Sequence, residues 1–356
     1  MAADVTLPPD LLARPAGEAV RRMALAELAR AERARDGLLA GDDPEALHDF
    51  RVALRRLRSH LRAYRSEVGA AVGRKLLRRL RDLAAATNPG RDAEVQVAWL
   101  DEVVPGLAPG ARRGGAWLRE RLAHRRDEAY RALEREVIQD FARLATRLRD
   151  RLARLEVDLD EGAARGESLA VAARDRIREH LASLLLHLAA VRGPQDEDEA
   201  HAARIEAKRL RYLLDPLVAW IAKLKRPVAR LRELQDLLGE WNDTRVLAEE
   251  VTRALEEIEA QRARRLLEAT LAAPAGESPP RNAPSRERSG LLALARELAA
   301  QRHDRFTRFA AAWSGEEAPE RQAFEAELET ALAELAPPAA AEANAADAAT
   351  AAADPA

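Results

Sequence analysis

Apolar side chains recur every three or four positions along most of the chain, and this spacing predicts amphipathic α-helices almost throughout. Ala, Leu, Arg and Glu, all strong helix formers, dominate the composition. No run alternates apolar and polar residues as a strand would. The pattern therefore predicts an all-α protein, with helices near 17–40, 44–66, 70–86, 91–103, 111–133, 135–155, 167–191, 197–215, 217–239, 242–272, 287–313 and 317–335.

Glycine and proline clusters separate these helices, as at 41–44, 88–90, 105–110 and 193–194. The segment APAGESPPRNAPS predicts a loop over 273–285, and the Ala- and Pro-rich tail over 337–356 predicts disorder. The expected organisation is an extension at 1–16, a main domain at 17–313, a terminal helix at 314–336 and the tail.

Two halves of the main domain share short motifs at nearly constant separation. His48 and His201 are 153 positions apart, LRRLRDL (77–83) matches LRELQDL (231–237), and RDAEV (91–95) matches NDTRV (242–246). This spacing is too long for a solenoid repeat. It predicts two similar helical bundles, at about 17–155 and 165–313, related by a pseudo-twofold axis. Asp92 and Asp243 in the last pair of motifs are expected to cap helices.

Each half carries a stripe of basic side chains on one helix. At about 100° per residue, the first stripe fits a sector about 80° wide, and a separate face gathers the apolar residues. The first stripe comprises His48, Arg51, Arg55, Arg58 and Arg62, and the apolar face comprises Phe50, Leu54, Leu57, Leu61 and Tyr64. The second stripe comprises His201, Arg204, Lys208 and Arg211, with Asp215 at the position of Arg62. The following helices repeat the pattern with Arg74, Arg78 and Arg81, and with Lys223, Arg226, Arg230 and Arg232.

The whole-chain net charge of −2 hides this segregation. Residues 47–81 carry a net +9 and residues 201–232 a net +7, so the remainder carries −18. Neighbouring like charges destabilise a helix, and a glutamate four residues from a base would offset this. In neither stripe does a glutamate lie four residues from an arginine or lysine. One interpretation is a solvated basic surface in a chain with 54 Arg and 4 Lys. Stripes in two matched copies favour an anionic partner instead.

A linear polyanion fits the repeated bases, because each Arg offers a planar fork of donors to phosphate oxygens and counterion release adds free energy. Stacking on nucleic-acid bases needs aromatic side chains among the basic groups. Phe50 and Tyr64 face the predicted core, and only Tyr212 lies near a stripe. The stripes therefore indicate recognition of phosphate alone, with no specific binding of nucleic acid.

The motifs LHDFRVALRRLRSHLRAY (47–64), HAARIEAKRLRYLL (201–214) and LQDLLGEWND (234–243) resemble the CHAD family, the conserved histidine α-helical domain. The resemblance covers roughly 17–313. It implies a duplicated pair of four-helix bundles with pseudo-twofold symmetry and a basic central groove or pore. It also implies binding of inorganic polyphosphate, and some members are located on polyphosphate granules. The name-giving histidines are then His48 and His201, and the matching basic positions are Arg51, Arg55, Arg56, Arg58, Arg204, Lys208, Arg209 and Arg211, extended by Arg78 and Arg232.

No motif for catalysis, cofactor or metal binding stands out, so a non-catalytic binding module is expected. The alternatives are a scaffold whose basic groove binds an acidic protein partner and, less favoured, a metal-dependent polyphosphate phosphatase. The chain has no cysteine, no apparent signal peptide and no membrane span, so a cytoplasmic protein is expected. Phosphate beside His48 and His201 would favour the protonated rings, which predicts tighter binding at pH 6 than at pH 8. The histidines His60, His180 and His187 are expected to be structural.

Overall fold

The computed structural model describes residues 8–40, 46–69, 71–161, 167–273, 286–315 and 317–335, and confirms the all-α class. Within these residues no strand forms, and short 3-10 turns supplement the helices. The α-helices are α1 (Ala16–Ala40), α2 (Ala46–Ala63), α3 (Arg65–Val68), α4 (Arg74–Ala86), α5 (Asn88–Val103), α6 (Pro109–Glu161), α7 (Leu169–Ala190), α8 (Glu197–Leu214), α9 (Lys225–Ala272), α10 (Arg286–Trp313) and α11 (Pro319–Leu332). The predicted disordered tail lies outside the described residues, as does most of the predicted 273–285 loop.

The amphipathic pattern of α2 has the predicted consequence. Phe50, Leu54, Leu57, Leu61 and Tyr64 are all buried in the main core, and the ring of Phe50 meets Phe141 of α6 edge-on at 4.9 Å. Each such side chain contributes about 1.5–3 kcal/mol through burial. This packing fixes the rotation of α2 and turns its basic stripe away from the core.

Two helices are longer than the sequence predicts. The helices expected at 111–133 and 135–155 form the single helix α6, and α9 runs through the break expected between 239 and 242. In α9 the side chains of Trp241 and Thr244 are buried on either side of Asn242 and Asp243. Burial of these neighbours outweighs the weak helix propensity of the Asn-Asp pair.

The helices enclose two hydrophobic clusters. The main core draws on α1, α2, α4, α7, α8, α11 and parts of α6, α9 and α10. A smaller cluster packs α5 against other stretches of α6, α9 and α10, through residues that include Val97, Leu122, Val251 and Leu294. Helices α6, α9 and α10 therefore contribute to both clusters.

Close backbone contact joins the two halves in the smaller cluster. A Cβ atom on Gly114 of α6 would clash with the carbonyl oxygen of Glu287 and with Gly290 of α10. Gly290 has the reciprocal conflict with Gly114 and the Ala111 carbonyl. Glycine at both positions lets α6 and α10 approach more closely than larger residues would permit.

The predicted N-terminal extension and terminal helix are packed into the main core over their described parts. Leu11, in a 3-10 turn at Pro9–Leu12, is fully buried, and so are Phe324 and Leu328 of α11. Helices α1 and α7 begin side by side, because the Leu169 amide donates to the carbonyl oxygen of Arg14 at 2.9 Å.

Candidate functional site

The two predicted stripes lie on helices that contact each other, α2 and α8. Arg55 of α2 is close enough to Arg204 and Lys208 of α8 to lower the pKa of both. Of the stripe histidines, His48 is exposed, whereas His201 is half-buried with its Nδ1 2.8 Å from Asn242 Oδ1 on α9. The packing thus brings basic side chains from both halves of the chain into one cluster.

Bases of the two stripes form no ion pairs with acidic side chains. Elsewhere most arginines are paired, as Arg119 is with Asp101 at 2.5 Å and Arg125 with Glu250 at 2.5 Å. Within the described part of the chain, no ion pair to a carboxylate forms at Arg51, Arg55, Arg58, Arg62, Arg204, Lys208 or Arg211. The cluster therefore keeps its positive charge available to a ligand.

Burial makes this charge unfavourable in the unliganded protein. The pKa of Lys208 falls to about 7, mainly because the side chain is buried and then because Arg204, Arg55 and Arg211 repel its charge. Burial also lowers the pKa of Arg204 and of Arg51. An anion among these groups would offset both the repulsion and the lost hydration.

Arg51 connects the cluster to the junction between α4 and α5. Its guanidinium donates hydrogen bonds to the carbonyl oxygen of Thr87 and, at 3.4 Å, to Asn88 Oδ1. The Thr87 hydroxyl in turn donates to the Ala84 carbonyl at 2.7 Å. These bonds anchor one end of the first stripe without neutralising it.

Asp92 and Asp243 do not cap helices, contrary to the prediction. Asp92 lies inside α5, whose N-cap residue is Thr87, and Asp243 lies deep inside α9. Burial raises the pKa of both carboxyl groups, against the opposing effects of Arg204 and Lys208. They are the site residues that sequence reasoning missed, and the available signal was their matched position in RDAEV and NDTRV.

Of the predicted site residues, Arg56, Arg209 and Arg232 have Asp215 or Glu206 as acidic partner. Arg56 lies 3.8 Å from Asp215, which is also 3.4 Å from Arg232, and Arg209 bonds to Glu206. The second oxygen of Glu206 lies 2.8 Å from Nδ1 of His180 on α7. These pairs flank the unpaired cluster.

The bases after the two stripes have different surroundings in the two halves. Arg74 and Arg78 are exposed on α4. The charge of Arg81 helps to lower the pKa of Arg58, and Arg81 also forms an ion pair with its neighbour Asp82 at 2.8 Å. In the second half, acidic residues of the C-terminal segment face the bases. Lys223 pairs with Glu334 at 2.9 Å, and Arg230 pairs with Glu320 and Glu327. Arg226 and Lys223 also line a groove that Glu327 of α11 borders on the other side. Among the described residues, Arg74 and Arg78 therefore form no ion pair in the first half, whereas Lys223 and Arg230 are paired in the second.

The remaining predicted structural histidines have protein partners. His60 is buried and its Nε2 donates to the Tyr212 carbonyl oxygen at 3.1 Å, while His187 Nδ1 lies 3.0 Å from Glu199. Burial lowers the pKa of His60 to about 4, so this ring is neutral at pH 7.

No group of three or more His, Cys, Asp or Glu side chains suited to a metal ion occurs among the residues that the structure places. None of the helices in the described ranges combines the length and hydropathy of a bilayer span.

The fold and the site define a class of protein. It is all-helical, and two contacting helices share a cluster of bases that form no ion pairs. The family model described as CHAD domain matches residues 22–252, and the chain belongs to the CHAD domain family. The crystal structure of the CHAD domain from the plant Ricinus communis superposes with a TM-score of 0.60 at 24% identity, covering 92% of this chain and 95% of that one.

A second solved structure, PptA from Streptomyces chartreusis, superposes with a TM-score of 0.52 at 18% identity, covering 88% of this chain and 99% of that one. At these identities both structures indicate a shared fold. Two curated proteins of Mycobacterium tuberculosis, uncharacterized protein MT2285 and uncharacterized protein Rv2226, are each 30% identical over 219 residues. The match covers 60% of this chain and 41% of each relative, so the chain aligns with less than half of their length.

Proposed function

We propose that this protein binds inorganic polyphosphate through the bases that α2 and α8 bring together. The observation that carries the proposal is that Arg55, Arg204 and Lys208 form no ion pair where two halves of the chain meet, and that the nearby Asp92 and Asp243 offset their charge only in part. A flexible chain of phosphates can place one negative charge beside each base in turn. Displaced counterions then add to the free energy of binding.

A duplicated architecture supports this proposal. Helices α1 and α7 begin beside each other, α2 contacts α8, and Asp92 and Asp243 enter the cluster from matched motifs. We interpret these relations as a pseudo-twofold arrangement of two bundles around a basic groove. Such a groove presents hydrogen-bond donors for phosphate oxygens from both bundles. A polymer with the same charge along its whole length can accept from both sets.

The aromatic side chains of the two stripe segments favour polyphosphate over nucleic acid. Phe50 and Tyr64 are buried in the core, and Tyr212 is buried beneath the guanidinium of Arg211, 5.3 Å from the ring centroid. None of these rings offers a free face to a nucleotide base, as stacking on single strands requires.

The direct test is calorimetric binding of polyphosphate chains of increasing length at near-physiological salt, with single-stranded DNA of matched charge as competitor. We expect affinity to rise with chain length and DNA to displace little of the ligand. Affinity independent of length would favour the scaffold that binds an acidic protein, and equal displacement by DNA would reduce the cluster to a generic basic surface. Release of phosphate on adding Mg²⁺ or Mn²⁺ would favour the phosphatase. Location on polyphosphate granules would follow from the binding.

Binding should weaken as the pH rises through 7, because Lys208, with its pKa of about 7, loses its charge. In the unliganded protein Lys208 is charged below that pH and neutral above it, so binding at pH 8 has to take up a proton that the side chain already carries at pH 6. For one such proton the affinity falls by up to about tenfold per pH unit above 7. The same titrations with Lys208→Arg should show a flatter dependence between pH 7 and pH 8.

His48→Gln/His201→Gln provides the comparison, because these histidines are the other candidates for the pH effect. Titration of the ligand itself is common to every variant and cancels. If Lys208→Arg keeps the wild-type dependence of affinity on pH while the histidine variant loses it, the histidines cause the effect and the explanation by Lys208 is wrong.

A further inference from the structure

Basic side chains continue around α4, away from the stripe cluster. Arg74, Arg78 and Arg81 lie on the face next to α2, and Lys75 and Arg79 follow on the adjoining face. All five side chains are exposed. The surface of α4 is therefore positive from the side facing the stripes to the side facing α6.

A groove of about 540 Å³ lies between α4 and α6 on that far side. Arg79 contributes to one wall, Arg143 and Arg147 to the other, and Leu83 and Leu144 form the apolar floor. A groove with bases on both walls can hold a chain of phosphates between them.

The two acids of the groove are already bonded to neighbouring arginines. Asp82 bonds to Arg81, and Asp140 bonds to Arg143. In the described residues no ion pair forms at Arg79 or Arg147, so one unpaired base remains on each wall.

The second half lacks this extension. In the matching segment LRELQDL, Glu233 stands at the position of Arg79 and Gln235 at that of Arg81. The Gln235 side chain is buried and donates to the Ala207 carbonyl oxygen at 2.8 Å, so it is committed to the core. The positive path therefore leaves the cluster on the first-half side.

Resting on the proposed function, we propose that a long polyphosphate chain crosses α4 and enters the groove between α4 and α6. Arg79 and Arg147 then form a subsite that only chains longer than the stripe cluster reach. This subsite gives the protein a preference for long chains, whereas the stripes alone set the affinity for short ones.

The test compares wild type, Arg79→Glu/Arg147→Glu and the control Arg264→Glu/Arg265→Glu across a series of polyphosphate lengths. The control reverses two exposed arginines near the far end of α9, so the net charge changes equally. We expect the groove variant to bind the shortest chains with the affinity of the wild type and to bind long chains about tenfold more weakly. Its affinity should also stop rising at a shorter chain length than that of the wild type. The control should follow the wild type, and Arg79→Gln/Arg147→Gln should lie between.

Equal affinities of wild type and the groove variant at every length would overturn the subsite while leaving the proposed function intact. Equal weakening at every length, short chains included, would also overturn it, because long-range charge rather than contact would then be responsible. A wild type that binds no polyphosphate would overturn the proposed function itself. Thermal unfolding of each variant shows whether it is folded before these outcomes are compared.

Discussion

Replacing Arg51, Arg55 and Arg204 together with glutamate should weaken polyphosphate binding by at least about 100-fold, because three phosphate contacts become repulsions. The three side chains are coupled electrostatically within the cluster, and Arg55 acts on both others. Calorimetry at near-physiological salt measures the loss. The slope of log affinity against log salt should also become shallower by about three for the triple variant, close to one for each lost contact.

The matched control reverses Arg264, Arg265 and Arg296, which are exposed on α9 and α10 and form no ion pair in the described residues. It carries the same change of net charge. If it weakens binding as much as the cluster variant does, overall charge rather than the α2 and α8 cluster determines affinity. The cluster variant breaks no ion pair, but it removes the hydrogen bonds of Arg51 to Thr87 and Asn88. Thermal unfolding therefore has to show that each variant is folded before the affinities are compared.

Trp241→Ala should cause the largest loss of stability, about 3–5 kcal/mol of the free energy of unfolding. Trp241 is only 1% exposed, and its ring lies 5.8 Å from the centroids of both Phe306 and Phe309 on α10. Truncation would leave a cavity where α9 packs against α10. Urea unfolding followed by circular dichroism measures the change.

Trp117→Ala is the comparison, because that ring is only partly buried, with Arg121 above it at 5.7 Å. Its loss should cost about 1 kcal/mol. Similar midpoints for both variants would show that the region around Trp241 relaxes to fill the space. Since Asn242 follows Trp241 and contacts His201, the Trp241 variant should also bind polyphosphate more weakly.

The helices and the core face of α2 follow from the sequence because each depends on local periodicity. A 3.6-residue repeat determines which side chains share a face, and Phe50 and Leu57 are buried where the pattern places them. The repeated motifs predict two matched stripes, whereas the contact between α2 and α8 is visible only once the helices are packed.

Ion pairs between distant segments could not be predicted in the same way. The pairing of Arg230 with Glu327 joins residues 97 positions apart, and it depends on α11 docking through its apolar face. The position of Asp243 required knowing that α9 continues through an Asn-Asp pair. Such outcomes depend on tertiary packing that overrides local propensity.

Because α6 and α9 each contribute to both hydrophobic clusters, the two halves of the chain are interlocked. The smaller cluster takes α5 and part of α6 from the first half, and part of α9 with α10 from the second. Neither half alone could bury the apolar faces of Val97 and Leu122 or of Val251 and Leu294. Either half expressed alone would therefore leave these apolar faces exposed to water, and such a surface promotes aggregation or association with the other half.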